Sequence, residues 1–236
     1  MERTVRTLQS LKIFKRKLAV VVGAGVSGLA ACRFLLSLGA TVRLVDAKAE
    51  TSQDVLIKVT ENPAQAGQTL QAGPHSASQF EDADLIVLSP GVPVKKLSGV
   101  LAGVEPWRVV AEMEFASWFL REPVIAITGT NGKTTTTTLV GHILEHAGLS
   151  TFVGGNIGTP LCDYLMADKA ADVLVIEISS FQLQNCRSFA PRVAALLNFS
   201  ANHLDYHADM EEYLQAKLNL FAQQDHACLA IAPAAM

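Results

Sequence analysis

Residues 124–139 read "VIAITGTNGKTTTTTL", and this stretch decides the fold. The apolar run Val124–Ile127 enters a glycine-rich turn, Gly129–Gly132, followed by the pair Lys133–Thr134. Strand, turn and helix in that order make a phosphate loop. The free N–H groups and dipole at the helix start favour anionic oxygens. The general pattern Gly-x-x-x-x-Gly-Lys-Ser/Thr is not met strictly. Ile127 holds the first glycine position and Gly129 comes two residues later. The working parts survive. Gly129, Thr130, Asn131 and Gly132 can wrap phosphate, Lys133 can reach the terminal phosphates, and the Thr134 hydroxyl can ligate Mg²⁺. Thr135 lies in the first helical turn, where its N–H and hydroxyl can face a phosphate as well.

Threonine costs a helix roughly 0.5 kcal/mol against alanine, so five in succession need a reason. Thr134 and Thr135 have ligands to meet, and Thr136, Thr137 and Thr138 are assigned to packing. An apolar face of Leu139, Val140, Ile143, Leu144 and Ala147 is expected to hold the helix, with Gly148 ending it. The same helix carries His142, Glu145 and His146 at the spacing of a zinc-peptidase motif. They fall opposite the apolar stripe and read as a solvated face.

Outward from this stretch, short apolar runs recur at Leu18–Val22, Thr41–Val45, Leu85–Leu88, Thr151–Val153, Val173–Ile176 and Val193–Leu197. Helix-length segments separate them, and "CLAI" near the end begins another. Such a pattern predicts an α/β fold of parallel strands covered by helices on both faces. A boundary is expected near residue 110, giving a Rossmann-like module over 1–110 and a P-loop-type α/β module over 111–236.

Bulk properties narrow the function. Half of the 236 residues are hydrophobic and the net charge is −3, with charges scattered. That speaks against a nucleic-acid surface. Cys32, Cys162, Cys186 and Cys228 are widely spaced with no CxxC, which fits a reducing cytoplasm rather than disulfides or zinc. The basic "RTLQSLKIFKRK" before an apolar run ending at Cys32 has the look of a lipoprotein signal. The run is too short and glycine-rich to span a membrane, and strand, turn and helix explain it better. No membrane or nucleic-acid partner is expected, and the chain reads as cytoplasmic.

In the first module, Gly23-x-Gly25-x-x-Gly28 follows a strand, and Asp46 ends the next strand 18 residues after Gly28. This suits a nucleotide phosphate at the helix start and a ribose hydroxyl on the acid; which nucleotide is left open. Ser89-Pro90-Gly91 makes a turn at another strand end. In the second module Asn156, Glu177 and the segment Asn198–His203 each follow an apolar run. An acid at the end of a buried strand needs a partner, and Mg²⁺ shared with Thr134 would supply one. Asp209 and Glu212 form a capping box for a helix whose apolar stripe is Met210, Tyr213, Leu214, Leu218 and Phe221. Lys217 lies within that stripe, either snorkelling or projecting into a site. Ligands of open α/β sheets bind beyond the carboxyl ends of the strands. Four strand ends would thus deliver polar groups to one edge.

"AITGTNGKTTTTTLVG", "VGGNIG", "EISSFQL" and "LNFSANHLDYH", with "YLQAK" after them, resemble the Mur ligases of peptidoglycan synthesis. "SSFQL" with "GAGVSG" is similar to the subgroup joining D-glutamate to UDP-N-acetylmuramoyl-L-alanine. The resemblance implies an ATP-dependent ligase. Val26, Ser27, Asp46, Lys48, Ser89 and Gly91 would hold the UDP part of the substrate. Lys133, His203 and Lys217 would be catalytic. Thr134 and Glu177 would hold one Mg²⁺, and His203 with a carbamylated Lys217 a second. Asn156, Ser179 and Gln182 would orient substrate. The muramoyl-alanine carboxylate would attack the γ-phosphoryl group, and the D-glutamate amine would then displace phosphate from the acyl phosphate. Two positions depart from the family, Asn202 before the loop histidine and Tyr206 after the loop aspartate. The chain is expected to be a truncated monomer, unable to ligate without a further domain. Rival readings are an NAD(P)-dependent oxidoreductase, a non-catalytic nucleotide-binding module, and an amide ligase of the same fold acting on folate or poly-glutamate.

Overall fold

A computed structural model describes residues 13–60, 68–167, 170–204 and 206–234. The first part of the basic stretch Arg6–Lys17, residues 6–12, and Asp205 lie outside the described residues. The chain divides into two compact units, Met1–Ala116 and Ser117–Met236, against an expected division near 110.

The first unit is a parallel sheet of β1 (Leu18–Val22), β2 (Thr41–Asp46), β3 (Gln68–Ala72), β4 (Leu85–Leu88) and β5 (Val109–Ala111). Their spatial order is β3-β2-β1-β4-β5, so the order of strand addition reverses beside β1. Helix α1 (Val26–Ser37) follows β1 directly, and α2 (Val94–Leu97) follows β4. Val20, Val22, Val45, Ile86 and Leu88 form a core with Phe80. Cys32 is fully buried in α1, in agreement with strand, turn and helix. Two strands escape the search for apolar runs. In β3, "QTLQA" buries only Gln68 and Leu70, the alternation of a strand at a sheet edge. β5 has only three residues.

The second unit begins within α3 (Glu112–Ser117) and is built on β6 (Val124–Thr128), β7 (Thr151–Gly155), β8 (Val173–Glu177), β9 (Val193–Leu196) and β10 (Leu229–Ile231). All pair in parallel, in the order β10-β9-β6-β8-β7. The phosphate-loop strand β6 is therefore central, flanked by β8 and β9. Its helices are α4 (Lys133–His146), α5 (Leu161–Met166), α6 (Ser180–Leu183) and α7 (Met210–Leu218). No helix of the described residues is long and apolar enough to cross a membrane.

Helix α4 departs from its expected packing. Its buried residues are Thr137 and Gly141, with Val140 and Leu144 half-buried against Ile127, Val175 and Ala195. Leu139 and Ile143 are 56% and 58% exposed. The cause is close approach. A Cβ on Gly141 would lie 2.4 Å from Cγ2 of Val153, so the helix meets the sheet through its small residues with Val140 and Leu144 beside them, and Leu139 and Ile143 turn outward. His142, Glu145 and His146 are exposed, as the solvated-face reading expects.

Candidate functional site

The second-unit site forms where β6, β7, β8 and β9 end. Gly129 and Gly132 have φ of +152° and +77°, which glycine alone adopts without strain. A Cβ on Gly129 would press on Leu197 at 3.1 Å, so the loop lies directly on the end of β9. Lys133 opens α4 and its ammonium donates to the carbonyls of Gly129 and Thr130, at 3.0 and 2.8 Å. One residue on, Thr134 Oγ1 donates to Glu177 Oε2 at 2.7 Å.

Glu177 is 2% exposed at the end of β8. Its Oε1 accepts from Asn156 Nδ2 at 2.8 Å, while its carbonyl accepts the Asn156 N–H. Gly155 lets β7 come this close, since a Cβ there would lie 2.5 Å from the Glu177 carbonyl oxygen. The buried carboxylate is thus held by two neutral donors on different elements. A hydroxyl and a carboxylate are the hard oxygen donors that Mg²⁺ takes, so these residues fit the ion.

Lys217 does not snorkel. It is 1% exposed, donates to the Gly129 carbonyl at 2.9 Å, and lies 4.6 Å from the centre of the Tyr213 ring. Burial first, and the charge of Lys133 second, push its ammonium down to about 7. The phosphate loop therefore has two amines bonded to its carbonyls, one of them substantially neutral near pH 7. A neutral amine is the form that takes up CO₂, and a carbamate would find Lys133 nearby.

His203 has φ of +55°, uncommon outside glycine although histidine tolerates it better than most. Its ring meets Phe181 at 4.9 Å and Tyr213 at 6.0 Å. Among the described residues, no three His, Cys, Asp or Glu side chains gather as a metal site. At Asn202, Oδ1 accepts the His203 N–H at 2.8 Å. The Tyr206 ring packs on Phe181 at a tilt of 42°, with centroids 4.1 Å apart. Ser179 and Gln182 are occupied with each other: Oε1 of Gln182 accepts from both the N–H and the hydroxyl of Ser179, each at 3.0 Å. The Asp209 carboxylate caps α7 through the Glu212 N–H. Glu212 reaches back to the N–H of Ala208 rather than that of Asp209.

Three contacts are not apparent from the sequence. Asn198 holds the phosphate loop: its Oδ1 accepts the N–H groups of Thr130 and Asn131 at 3.1 and 2.9 Å, and Nδ2 donates to the Asn131 carbonyl at 3.0 Å. The Thr130 and Asn131 N–H groups thus face Asn198. Gly132 to Thr135 are left as the loop's other N–H donors. Tyr213, expected only as an apolar stripe residue, shares a 3.3 Å hydrogen bond with Thr130 Oγ1. His207 is buried and bonds Ser180 Oγ at 2.9 Å, tying its loop to α6. A polar amide directly after a five-residue apolar run was the available signal for Asn198.

In the first unit, Asp46 organises the glycine turn. Its Oδ2 accepts the Ala24 N–H at 2.7 Å and its Oδ1 the Lys48 N–H at 2.9 Å. Each oxygen keeps capacity for one more donor. Ser89 Oγ donates to the Gly23 carbonyl at 3.0 Å, joining the two turns. Val26, Lys48 and Gly91 are exposed, and Ser27 is half-buried. Gly25 has open space where a Cβ would point, whereas at Gly28 a Cβ would lie 1.9 Å from the Gly23 carbonyl oxygen. The first of these leaves room for a ligand, and the second is demanded by helix packing.

Comparison with known proteins gives the same two parts. Residues 17–103 match the model of the Mur ligase MurD-like N-terminal domain, and residues 127–235 that of the Mur ligase middle domain. The UDP-N-acetylmuramoylalanine–D-glutamate ligase of Nitratidesulfovibrio vulgaris (strain DP4) is 54% identical over 215 residues, 91% of this chain and 49% of the relative. The ligase of the same name from Desulfovibrio desulfuricans is 51% identical over 216 residues, 90% of this chain and 49% of the relative. The chain therefore spans about half the length of the curated relatives it matches. Among solved structures, a murein peptide ligase from Psychrobacter arcticus is similar in fold, with a TM-score of 0.50 and 22% identity over 93% of this chain and 49% of that one.

Proposed function

Because the chain belongs to the Mur ligase family, we propose that it serves the ligation of D-glutamate to UDP-N-acetylmuramoyl-L-alanine, driven by ATP. The observation that carries this reading is the Thr134–Glu177 bond beside Lys133, at the carboxyl ends of adjacent strands. A hydroxyl, a buried acid and an ammonium so arranged suit a nucleoside triphosphate and its Mg²⁺. Relatives about 50% identical over both units support the choice of substrate.

The roles follow from the side chains. Gly129 and Gly132 give the loop its shape, and the N–H groups from Gly132 to Thr135 bind phosphate oxygens. Lys133 turns from the loop carbonyls to the terminal phosphates. Thr134 and Glu177 would hold one Mg²⁺; His203 and Lys217, the latter as a carbamate, would hold a second. Bound there, the ions would neutralise charge on the transferring phosphoryl group. Asn156 keeps Glu177 aimed and, with Ser179 and Gln182, borders the acceptor. In the first unit, Val26, Ser27, Lys48, Ser89, Gly91 and the free capacity of Asp46 receive the UDP end of the substrate.

The substrate carboxylate attacks the γ-phosphorus and ADP departs. The D-glutamate amine then attacks the acyl phosphate, phosphate departs and the amine loses a proton. The Lys133 ammonium at the loop lowers the cost of gathering anions there, and positioning supplies much of the remainder. The enzyme acts in the cytoplasm as a monomer. Widely spaced cysteines with no CxxC motif favour a reducing compartment.

Calorimetric titration tests the reading. UDP-N-acetylmuramoyl-L-alanine should bind and lose affinity in Asp46→Ala, and Mg-ATP should bind and lose affinity in Lys133→Ala. Preference of the first unit for NAD over the uridine nucleotide would replace the reading with an oxidoreductase.

A further inference from the structure

The phosphate loop is shaped from outside itself. Asn198 follows β9, the strand beside β6, and its carboxamide spans the turn between Gly129 and Gly132. One side-chain oxygen accepts two successive loop N–H groups, at 3.1 and 2.9 Å, while the amide nitrogen returns to the Asn131 carbonyl at 3.0 Å. The backbone carbonyl of Asn198 also accepts the Thr130 N–H at 3.1 Å. This network fixes the amide's orientation, since reversing it would set donor against donor and acceptor against acceptor. Directly beneath, Gly129 packs on Leu197.

We propose that Asn198 is a positioning residue for the nucleotide: it clamps the Thr130–Asn131 turn so that the following N–H groups, Gly132 to Thr135, point at the phosphates. The inference rests on the second unit binding Mg-nucleotide, but the clamp itself is a property of the free protein. Asn131 is exposed, and an exposed loop amide without a partner exchanges rapidly with solvent. Holding the turn before ligand arrives removes an ordering cost from binding. The carboxamide is neutral, so it does this without repelling phosphate, as a carboxylate at the same place would.

Amide hydrogen exchange on the nucleotide-free protein tests the clamp. The Thr130 and Asn131 amides should be protected in the native chain. Free-loop exchange at Asn131 would overturn the proposal before any variant is made. In Asn198→Ala, exchange at the Asn131 amide should accelerate at least about tenfold, while the Thr130 amide, which keeps the Asn198 backbone carbonyl, and the amides of β6 and β8 keep their protection. Asn198→Asp, whose carboxylate can still accept the Asn131 N–H, should restore its protection; failure to do so would count against the clamp. Mg-ADP titration then tests positioning. Asn198→Ala should raise the Kd at least about tenfold with binding of UDP-N-acetylmuramoyl-L-alanine unchanged. Faster exchange with unaltered Mg-ADP affinity would sink the positioning role. A native chain that does not bind Mg-ADP would instead sink the proposed function and leave the exchange result standing.

Discussion

Thr134 and Glu177 are 43 residues apart in sequence, and their side chains meet in a 2.7 Å hydrogen bond at the ends of neighbouring strands. The bond joins the first turn of α4 to the last residue of β8, and each partner is a hard oxygen. Glu177→Gln keeps the shape, since its oxygen can accept from Asn156 while its amide donates to the Thr134 hydroxyl, but it loses the negative charge a divalent ion requires. Mg²⁺-dependent ATP binding should weaken by roughly 10–100-fold, with thermal stability nearly unchanged. Thr134→Val should do likewise by removing the hydroxyl. Calorimetry with and without Mg²⁺ measures both; equal losses in the two conditions would show that the pair does not serve the metal.

The buried amine of Lys217 makes stability depend on pH. Its ammonium titrates near 10.5 when unfolded and is brought down to about 7 in the native chain, by burial and then by Lys133. Between those values the unfolded chain binds more protons, so this group makes stability rise with pH. Its penalty is full below about 7 and is relieved progressively toward 10.5. Lys217→Met, which retains the volume without the charge, should be the more stable protein at pH 6. Its advantage should shrink as pH rises toward 9. Urea midpoints in CO₂-free buffer at several pH values give the comparison, and a pH-independent difference would contradict the assignment.

The sequence made the strand-end residues legible because a parallel sheet writes its buried strands as apolar runs and puts its ligands just after them. Thr134, Asn156, Glu177 and Asn198 all stand at that position. Lys217 stood out for a different reason, as a charge inside an apolar stripe. What stayed hidden depends on distance across the fold. The outward turn of Leu139 and Ile143 is set by how closely Gly141 approaches Val153, a tertiary fact with no trace in helical periodicity. The occupation of both Asp46 oxygens by Ala24 and Lys48 likewise depends on two loops meeting. The Ser179–Gln182 pair shows a serine and glutamine at cap spacing satisfying each other, which motif reading alone assigns to substrate. Edge strand β3 was missed because an edge needs only alternation and tolerates glutamine.

Two glycines should respond differently to one added methyl group. In Gly28→Ala the new Cβ would lie 1.9 Å from the Gly23 carbonyl oxygen, an atom of the rigid turn. In Gly141→Ala it would lie 2.4 Å from Cγ2 of Val153, a side-chain methyl on edge strand β7 that can shift. Overpacking costs about 1–3 kcal/mol. Gly28→Ala should fall at or above the top of that range and Gly141→Ala near the bottom, partly offset by alanine's better helix propensity. Thermal or urea unfolding decides it, and a larger loss in Gly141→Ala would mean that β7 cannot yield.

Thiol chemistry distinguishes the four cysteines without any ligand. Cys32, Cys162 and Cys186 are buried and Cys228 is half-buried, all as free thiols. Only the thiolate reacts, and burial pushes the Cys32 thiol up to about 12, so at pH 8 it is protonated as well as inaccessible. Cys228 sits beside β10 with its thiol 3.4 Å from Asp225 Oδ1. Native protein treated with a thiol reagent at pH 8 should therefore modify Cys228 first, with one equivalent consumed before the others respond. The remaining three should react only as the fold opens, at a rate that rises with urea. Cys228→Ser should abolish the fast phase and leave the slow one. Rapid modification of Cys32 in the native protein would mean that α1 does not stay packed on its sheet, and the glycine turn at its start would then lack the support that shapes it.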